Sequence, residues 1–139
     1  MDKYKIFTDV TSDLSEDLRK KYDIEYVKGH IKLPDGTEKV TECGWTFCTH
    51  DEFYKDLKRN PKGYSTSPAS PDEFVEAWTE TLENGYDILA LSISTALSGT
   101  YNFMLQAKKQ LLEKVFSSSE KELKAYNIAI SSVDNILKI

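Results

Sequence analysis

The chain has 139 residues, of which 40% are hydrophobic, including eight Tyr, six Phe and two Trp, so it can build a packed core and is not a disordered chain. The net charge of −5 and the sequence pI of about 5.1 argue against nucleic acid as the main partner, because phosphate backbones select surfaces rich in Lys and Arg. No apolar run approaches the roughly 18 residues of a membrane span, and the N-terminus turns polar too early for a signal peptide, so a cytoplasmic location is expected.

The first predicted unit is a strand, a polar turn and a helix. Residues 3–8 are mostly β-branched or aromatic, which is typical of a strand. They run into residues 9–13, whose types cap helices and form turns. Leu14, Leu18 and Tyr22 then recur at the spacing of one helix face. This order is the opening of an α/β unit.

Alternating apolar residues predict the next strand over residues 24–33, with an irregularity at Gly29. His30 is predicted to be a solvated residue of this strand. The turn sequence at residues 34–37 and a short returning strand through Val40 complete a β-hairpin.

Residues 43–48 have no clear period and are predicted to form a loop. Cys43 and Cys48 lack a second Cys/His pair at zinc spacing, although His50 follows closely. Free thiols in a reducing compartment are therefore favoured over a metal site.

Two capping boxes predict where the next helices begin. Thr49 with Glu52 opens the first helix, and Ser70 with Glu73 opens the second. The segment 63–71 between them is too rich in Pro and hydroxyl residues for a helix or a central strand.

The last predicted elements are a buried strand, a long helix and a final strand. Residues 86–93 are nearly continuous in apolar character, as central parallel strands are. A helix over 101–116 and a strand over 127–131 follow. We expect one domain over residues 1–139, a three-layer α/β/α fold with a mostly parallel sheet and a hairpin near one edge.

Three loops rich in Ser, Thr and Asp, residues 8–13, 65–70 and 94–100, are candidates for a ligand site. Ligands of open parallel sheets bind where strands lead into helices. Two of the loops follow predicted parallel strands, and the third opens a helix, whose free N–H groups favour an anion. Each loop alone is also explained by capping, but together they predict a pocket for a carboxylate or phosphate.

Signals for catalysis are weaker. Neither His30 nor His50 has an obvious nucleophile partner. Residues 98–100 lack the glycine run and Lys of a P-loop. Asp9 and Asp13 could together hold magnesium. A small metal-dependent phosphotransferase or hydrolase using Asp9 therefore stays open, as does a domain that only mediates protein contacts. The preferred interpretation is a non-catalytic binding protein without cofactor or metal.

Four segments, in order, resemble the bacterial DegV family. Residues 8–14 (TDVTSDL) resemble its TDSTSDL motif. Phe53-Tyr54 with residues 66–74 (TSPASPDEF) resemble FY…TSQPSP-E-F. Residues 85–87 with 94–101 (GYD…STALSGTY) resemble GYD…SSxLSGTY, and Val133-Asp134-Asn135 falls where the family has Val/Ile-Asp-Ser. The resemblance covers essentially the whole chain. It departs from the family at Val10, at Pro68-Ala69 and at Asn135.

The resemblance implies a two-domain family that carries one long-chain fatty acid and passes it to an ATP-using fatty-acid kinase, which makes acyl phosphate for phospholipid synthesis. It implies carboxylate contacts from Thr66 and Ser94, with Ser67 and Thr95 as neighbours. The pocket edge would comprise Thr8, Asp9, Thr11, Ser12, Ser98, Gly99 and Thr100. We expect this chain to be the N-terminal domain, truncated before the second, and we expect the exposed junction to favour a homodimer.

Overall fold

The computed structural model describes residues 3–44, 48–117 and 128–132. Seven strands and four helices lie in these ranges. In chain order they are β1 (Tyr4–Asp9), α1 (Glu16–Tyr22), β2 (Ile24–Val27), β3 (Gly29–Lys32), β4 (Glu38–Thr41), α2 (His50–Arg59), β5 (Ser65–Ser67), α3 (Pro71–Glu83), β6 (Asp87–Ser92), α4 (Thr100–Ser117) and β7 (Ile128–Ser132). A single 3₁₀ turn, Val10–Ser12, follows β1.

The central sheet has four strands in the order β2-β1-β6-β7, and each neighbouring pair is parallel. Parallel neighbours need crossover connections, and α1 joins β1 to β2 while α4 lies between β6 and β7. The α/β class and the mostly parallel sheet are therefore confirmed.

The core lies between this sheet and the helices α3 and α4. Trp78 of α3 is fully buried, with its ring centroid 6.4 Å from that of Phe7 in β1 and 5.4 Å from that of Phe74. Met104 and Ala107 of α4 are also fully buried. Large aromatic side chains bury the most apolar area per residue, so Trp78 and Phe74 contribute most to the packing of α3 against the sheet.

The opposite face of the sheet is covered less completely among the described residues. Arg19 of α1 lies over the ring of Tyr26 in β2, 4.4 Å from the ring centroid, but α1 itself buries no residue. Leu89 and Leu91 of β6 are only half-buried, and Tyr4 of β1 is 62% exposed.

The prediction of one strand over residues 24–33 is wrong. The chain forms β2, which pairs with β1, and then β3, which leaves that sheet and pairs with β4 and β5 in a second, antiparallel sheet ordered β4-β3-β5. The hairpin therefore belongs to a separate sheet rather than to an edge of the parallel one. The change occurs at Gly29, where a Cβ atom would lie 3.0 Å from the Thr41 hydroxyl oxygen and 3.1 Å from the Ser67 carbonyl oxygen. A Cβ at these distances would be in tighter than ordinary van der Waals contact, so glycine favours this close approach of the strands.

Both predicted capping boxes are confirmed, at Thr49 with Glu52 and at Ser70 with Glu73. The strand β5 lies within the segment for which a central strand was excluded, and it is an edge strand. The motif at residues 133–135 lies outside the described residues. Within the described ranges, no helix combines the length and apolar character needed to cross a membrane.

Candidate ligand-binding site

A cleft of about 730 Å³ opens where the carboxyl end of β1, the strand β5 and the start of α4 meet. This volume lies in the range of small-molecule sites. One part of its wall is polar and carries hydroxyl groups, and the other part is apolar. The polar lining residues are Asp9, Thr11, Asp13, His30, Thr41, Thr66, Ser67, Ser98, Gly99 and Thr100, and the apolar ones are Val10, Val27, Pro68, Ala69, Ile93 and Leu97.

The loop between β6 and α4 is a compact hydrogen-bonded turn. The carbonyl oxygen of Ser94 accepts the N–H groups of Leu97 and Ser98 at 3.0 and 3.1 Å, and its hydroxyl accepts the N–H of Ala96 at 3.1 Å. The hydroxyls of Ser98 and Thr100 lie 2.8 Å apart. Two hydroxyls therefore flank the first turn of α4.

Gly99, directly before α4, leaves the backbone of this turn accessible. Its carbonyl oxygen accepts the N–H of Phe103 at 3.2 Å, whereas a Cβ atom added at this residue would meet nothing within 4 Å. The N-terminus of this 18-residue helix therefore faces open space with its partial positive charge.

The strand β5 brings Thr66 and Ser67 to the cleft. Thr66 lies opposite Ile31, and Ser67 lies opposite His30, in the antiparallel pairing with β3. Both residues are exposed, because β5 lies at the edge of its sheet.

The segment that follows β5 ends at Ser70, and Glu73 of α3 fixes it there. Its carboxylate accepts the Ser70 N–H at 2.8 Å and lies 2.9 Å from His30 Nε2. Burial opposes the charge of this carboxylate, but hydrogen bonds from Ser70 and from His30 outweigh burial and lower the pKa of Glu73. The His30–Glu73 pair therefore ties β3 to α3 beside β5, where His30 lies opposite Ser67.

The described lining of the cleft includes Asp9, Asp13 and His30 but neither Lys nor Arg. An anion in this part of the site would be bound mainly by neutral hydroxyl and N–H donors. Hydrogen bonds from neutral donors to a charged acceptor are stronger than those between neutral groups, so this lining can hold a monoanion such as a carboxylate.

The structure brings seven of the predicted site residues into this one cleft: Asp9, Thr11, Thr66, Ser67, Ser98, Gly99 and Thr100. Ser94 and Thr95 lie in the bordering loop but not among the lining residues. Thr8 and Ser12 line a second groove of about 360 Å³, together with Ile6, Leu14, Ile24 and Leu91.

Sequence reasoning missed His30 and the apolar wall. His30 was predicted to be solvated, but it is half-buried and paired with Glu73, 43 residues away, so no local pattern could indicate the contact. Val27 and Ala69 are buried in the core and also border the cleft. Their positions follow from the separation of β2 and β3 into two sheets.

The chemistry of the remaining candidates is limited in the described part of the chain. Residues 3–44, 48–117 and 128–132 contain no group of three or more His, Cys, Asp or Glu side chains that could hold a metal ion. The carboxylate of Asp9 accepts hydrogen bonds on both oxygens. Cys43 and Cys48 are free thiols, and burial raises the pKa of Cys43.

Proteins of similar sequence match most of this chain. A DegV domain-containing protein of Clostridium perfringens is 41% identical over 114 residues, which is 82% of this chain and 38% of that protein. The fatty acid-binding protein of Thermotoga maritima is 31% identical over 110 residues, which is 78% of this chain and 38% of that protein. The chain thus spans about two fifths of the length of these relatives.

Solved structures agree in fold. The stearic acid-binding protein of Eubacterium ventriosum has a TM-score of 0.73 at 26% identity, over 92% of this chain and 40% of that one. A fatty-acid-binding DegV protein of Thermus thermophilus has a TM-score of 0.72 at 25% identity, over 94% of this chain and 40% of that one. The family model described as an uncharacterised protein of the DegV family matches residues 3–132. The chain belongs to the DegV family.

Proposed function

We propose that this chain binds the carboxylate end of a long-chain fatty acid in the cleft between β1, β5 and α4. The observation that carries the proposal is the convergence of the Thr66, Ser98 and Thr100 hydroxyls with the open backbone at Gly99. The relatives named as binding fatty acids, from Thermotoga maritima and Eubacterium ventriosum, support the same ligand class.

Thr66 and Ser94 orient the head group in this proposal, with Ser67 and Thr95 as neighbours. Thr66 approaches from the edge strand β5, and Ser94 organises the turn that leads into α4. The positive end of the α4 dipole favours the carboxylate over an uncharged head group. The loop at Thr8, Asp9, Thr11 and Ser12 forms the edge of the site.

The apolar wall provides contacts for the first part of the acyl chain. Val10, Ile93 and Leu97 lie beside the hydroxyl groups in the same cleft. Burial of acyl carbons contributes about 0.8 kcal/mol per CH₂, so the chain supplies most of the affinity and the head group supplies orientation.

The proposed role is that of a non-catalytic carrier in the cytoplasm, which presents its fatty acid to a separate ATP-using kinase for phospholipid synthesis. The sequence has only two cysteines, five residues apart, and so no disulfide framework, which suits a reducing compartment. The test is kinase-dependent ATP turnover on fatty acid supplied by this chain. Turnover without the kinase would contradict the non-catalytic role.

The proposal of fatty-acid binding is tested by denaturing extraction of the purified chain, followed by mass spectrometry of the released lipid. The Thermotoga maritima relative serves as the positive control. We expect stoichiometric fatty acid from wild type and much less from Thr66→Val and Ser94→Ala, because a weaker affinity lets the lipid dissociate during purification. Ser65→Ala is the matched control, because Ser65 is an exposed residue of the same strand that does not line the cleft. An empty wild-type chain that also fails to take up added fatty acid would contradict the proposal.

A homodimer is the proposed assembly. The half-buried Leu89 and Leu91 and the exposed Tyr4 form an apolar area on the thinly covered face of the central sheet. Sedimentation velocity at increasing protein concentration tests this proposal, and a monomer throughout would contradict it.

A further inference from the structure

The buried carboxylate of Asp9 joins two loops of the candidate site. Asp9 is 4% exposed at the end of β1. Its Oδ1 accepts the backbone N–H of Thr11 at 2.9 Å and also the Thr11 hydroxyl. Its Oδ2 accepts the N–H of Ile93 at 3.0 Å, a contact between residues 84 apart in sequence. One side chain thus holds the turn after β1 against the end of β6.

Ile93 is the residue through which this contact reaches the head-group loop. It directly precedes Ser94, whose carbonyl and hydroxyl oxygens accept N–H groups from Leu97, Ser98 and Ala96. The turn over residues 94–98 is therefore one hydrogen-bonded unit. The contact from Asp9 fixes the backbone of Ile93, the residue directly before this turn. The helix α4 holds the other end of the turn.

A contact between Asp9 and the ligand would be unfavourable, because two carboxylates repel each other at short distance. Both Asp9 oxygens instead accept hydrogen bonds from protein N–H groups, which indicates a structural role for this residue. The site tolerates the negative charge because strong hydrogen bonds satisfy it.

Resting on the proposed function, we propose that Asp9 is a positioning residue of the carboxylate site. It acts through the Ile93 N–H to hold the turn over residues 94–98 in the position that brings Ser98 to the head group, and it does not contact the fatty acid. Asn at this position offers one acceptor oxygen and an NH₂ group. Thr11 donates two hydrogen bonds to Asp9 and Ile93 donates only one, so the Asn oxygen should face Thr11. The Ile93 N–H then loses its acceptor, and the loop after β6 is released.

The test compares Asp9→Asn with Asp13→Asn in the same chain. Asp13 lies on the same turn and lines the same cleft, but it is exposed. Its φ of 52° is a left-handed conformation that Asn accepts readily. Both variants remove one negative charge near the site, but only Asp9→Asn breaks the link between the loops. If charge alone mattered, both would bind oleate more tightly. We expect Asp9→Asn to raise the Kd for oleate about tenfold, while Asp13→Asn binds at least as tightly as wild type.

Amide hydrogen exchange of the ligand-free proteins gives a second readout. We expect the amides of residues 93–98 to exchange at least about tenfold faster in Asp9→Asn than in wild type or Asp13→Asn. Unchanged exchange would overturn the positioning role even if oleate binding fell.

If wild type binds no oleate, the proposed function fails, while the exchange measurement still decides the role of Asp9. If Asp9→Asn does not fold, exchange in the wild type decides, because an Ile93 N–H that is held by the buried Asp9 carboxylate exchanges slowly. An Ile93 amide that exchanges in the wild type as fast as an unstructured one would overturn the proposal.

Discussion

A substitution at Gly99 tests the binding role of the α4 N-terminus separately from its structural role. An added Cβ meets no protein atom within 4 Å, so Gly99→Ala should fold normally and change the free energy of unfolding by less than about 1 kcal/mol. The methyl group would occupy the space in which a carboxylate approaches the backbone. We expect the Kd for oleate, measured by titration calorimetry, to rise about tenfold. Ala96→Ser, which adds one heavy atom to the same loop outside the cleft lining, should bind like wild type. Unaltered affinity in Gly99→Ala would place the carboxylate elsewhere.

Glu73 gives the site a predictable response to acid. Its pKa is lowered from the ordinary value of 4.5, because hydrogen bonds from Ser70 and His30 outweigh the opposing effect of burial. A depressed folded-state pKa contributes stability above the unfolded-state pKa, and this contribution is lost as pH falls through the folded-state value. The difference in the free energy of unfolding between wild type and Glu73→Gln should therefore have its full value above about pH 5 and decrease below that pH. Urea unfolding across this range measures the difference. Glu76→Gln, an exposed control on α3, should show no comparable decrease, and an equal decrease in both variants would contradict the assignment.

At the scale of elements, Gly29 sets the distance between β3 and its surroundings. A Cβ there would lie 3.0 Å from Thr41 Oγ1, 3.1 Å from the Ser67 carbonyl oxygen and 3.2 Å from Val10 Cγ1. The two side chains can shift, but the Ser67 oxygen belongs to the backbone of β5. We expect Gly29→Ala to lower the free energy of unfolding by about 1–3 kcal/mol and to weaken oleate binding by displacing β5. Urea unfolding checks the effect on stability against Gly99→Ala, whose methyl group meets no atom, and calorimetry checks the effect on oleate binding against wild type. Wild-type stability in Gly29→Ala would show that the strands separate at no cost.

Local signals in the sequence were sufficient for most elements. The capping boxes at Thr49 and Ser70 predicted helix starts because their hydrogen bonds join residues three apart. The apolar run at residues 86–93 predicted β6 for a similar reason. The separation of β2 from β3 could not be predicted, because both halves of residues 24–33 alternate with the same period. Their assignment to different sheets depends on pairing with β1 and with β5, which lie elsewhere in the chain.

At the scale of the whole molecule, the candidate site lies where the two sheets meet. The parallel sheet contributes Asp9 and the loop after β6, and the antiparallel sheet contributes Thr66 and Ser67 through β5. The sequence predicted the polar loops because hydroxyl residues cluster visibly. It could not predict their convergence, since that requires β3 to leave the central sheet and carry β5 toward α4. The site is thus a property of the packing of both sheets, and ligand binding should stabilise the molecule as a whole.

This coupling predicts a difference between oleate and oleyl alcohol in thermal unfolding. A ligand that binds only the folded chain stabilises it by about 2.7 kcal/mol at a concentration of 100 times its Kd, which corresponds to a rise in Tm of several degrees. Oleyl alcohol has the same apolar chain but an uncharged head group, which loses the charge-assisted hydrogen bonds and the attraction of the α4 N-terminus. At equal ligand concentration, differential scanning calorimetry should show the larger Tm shift with oleate. Thr66→Val should reduce the shift with oleate toward that with the alcohol. Equal shifts in wild type would show that only the acyl chain is bound and that the hydroxyl-lined cleft does not read the head group.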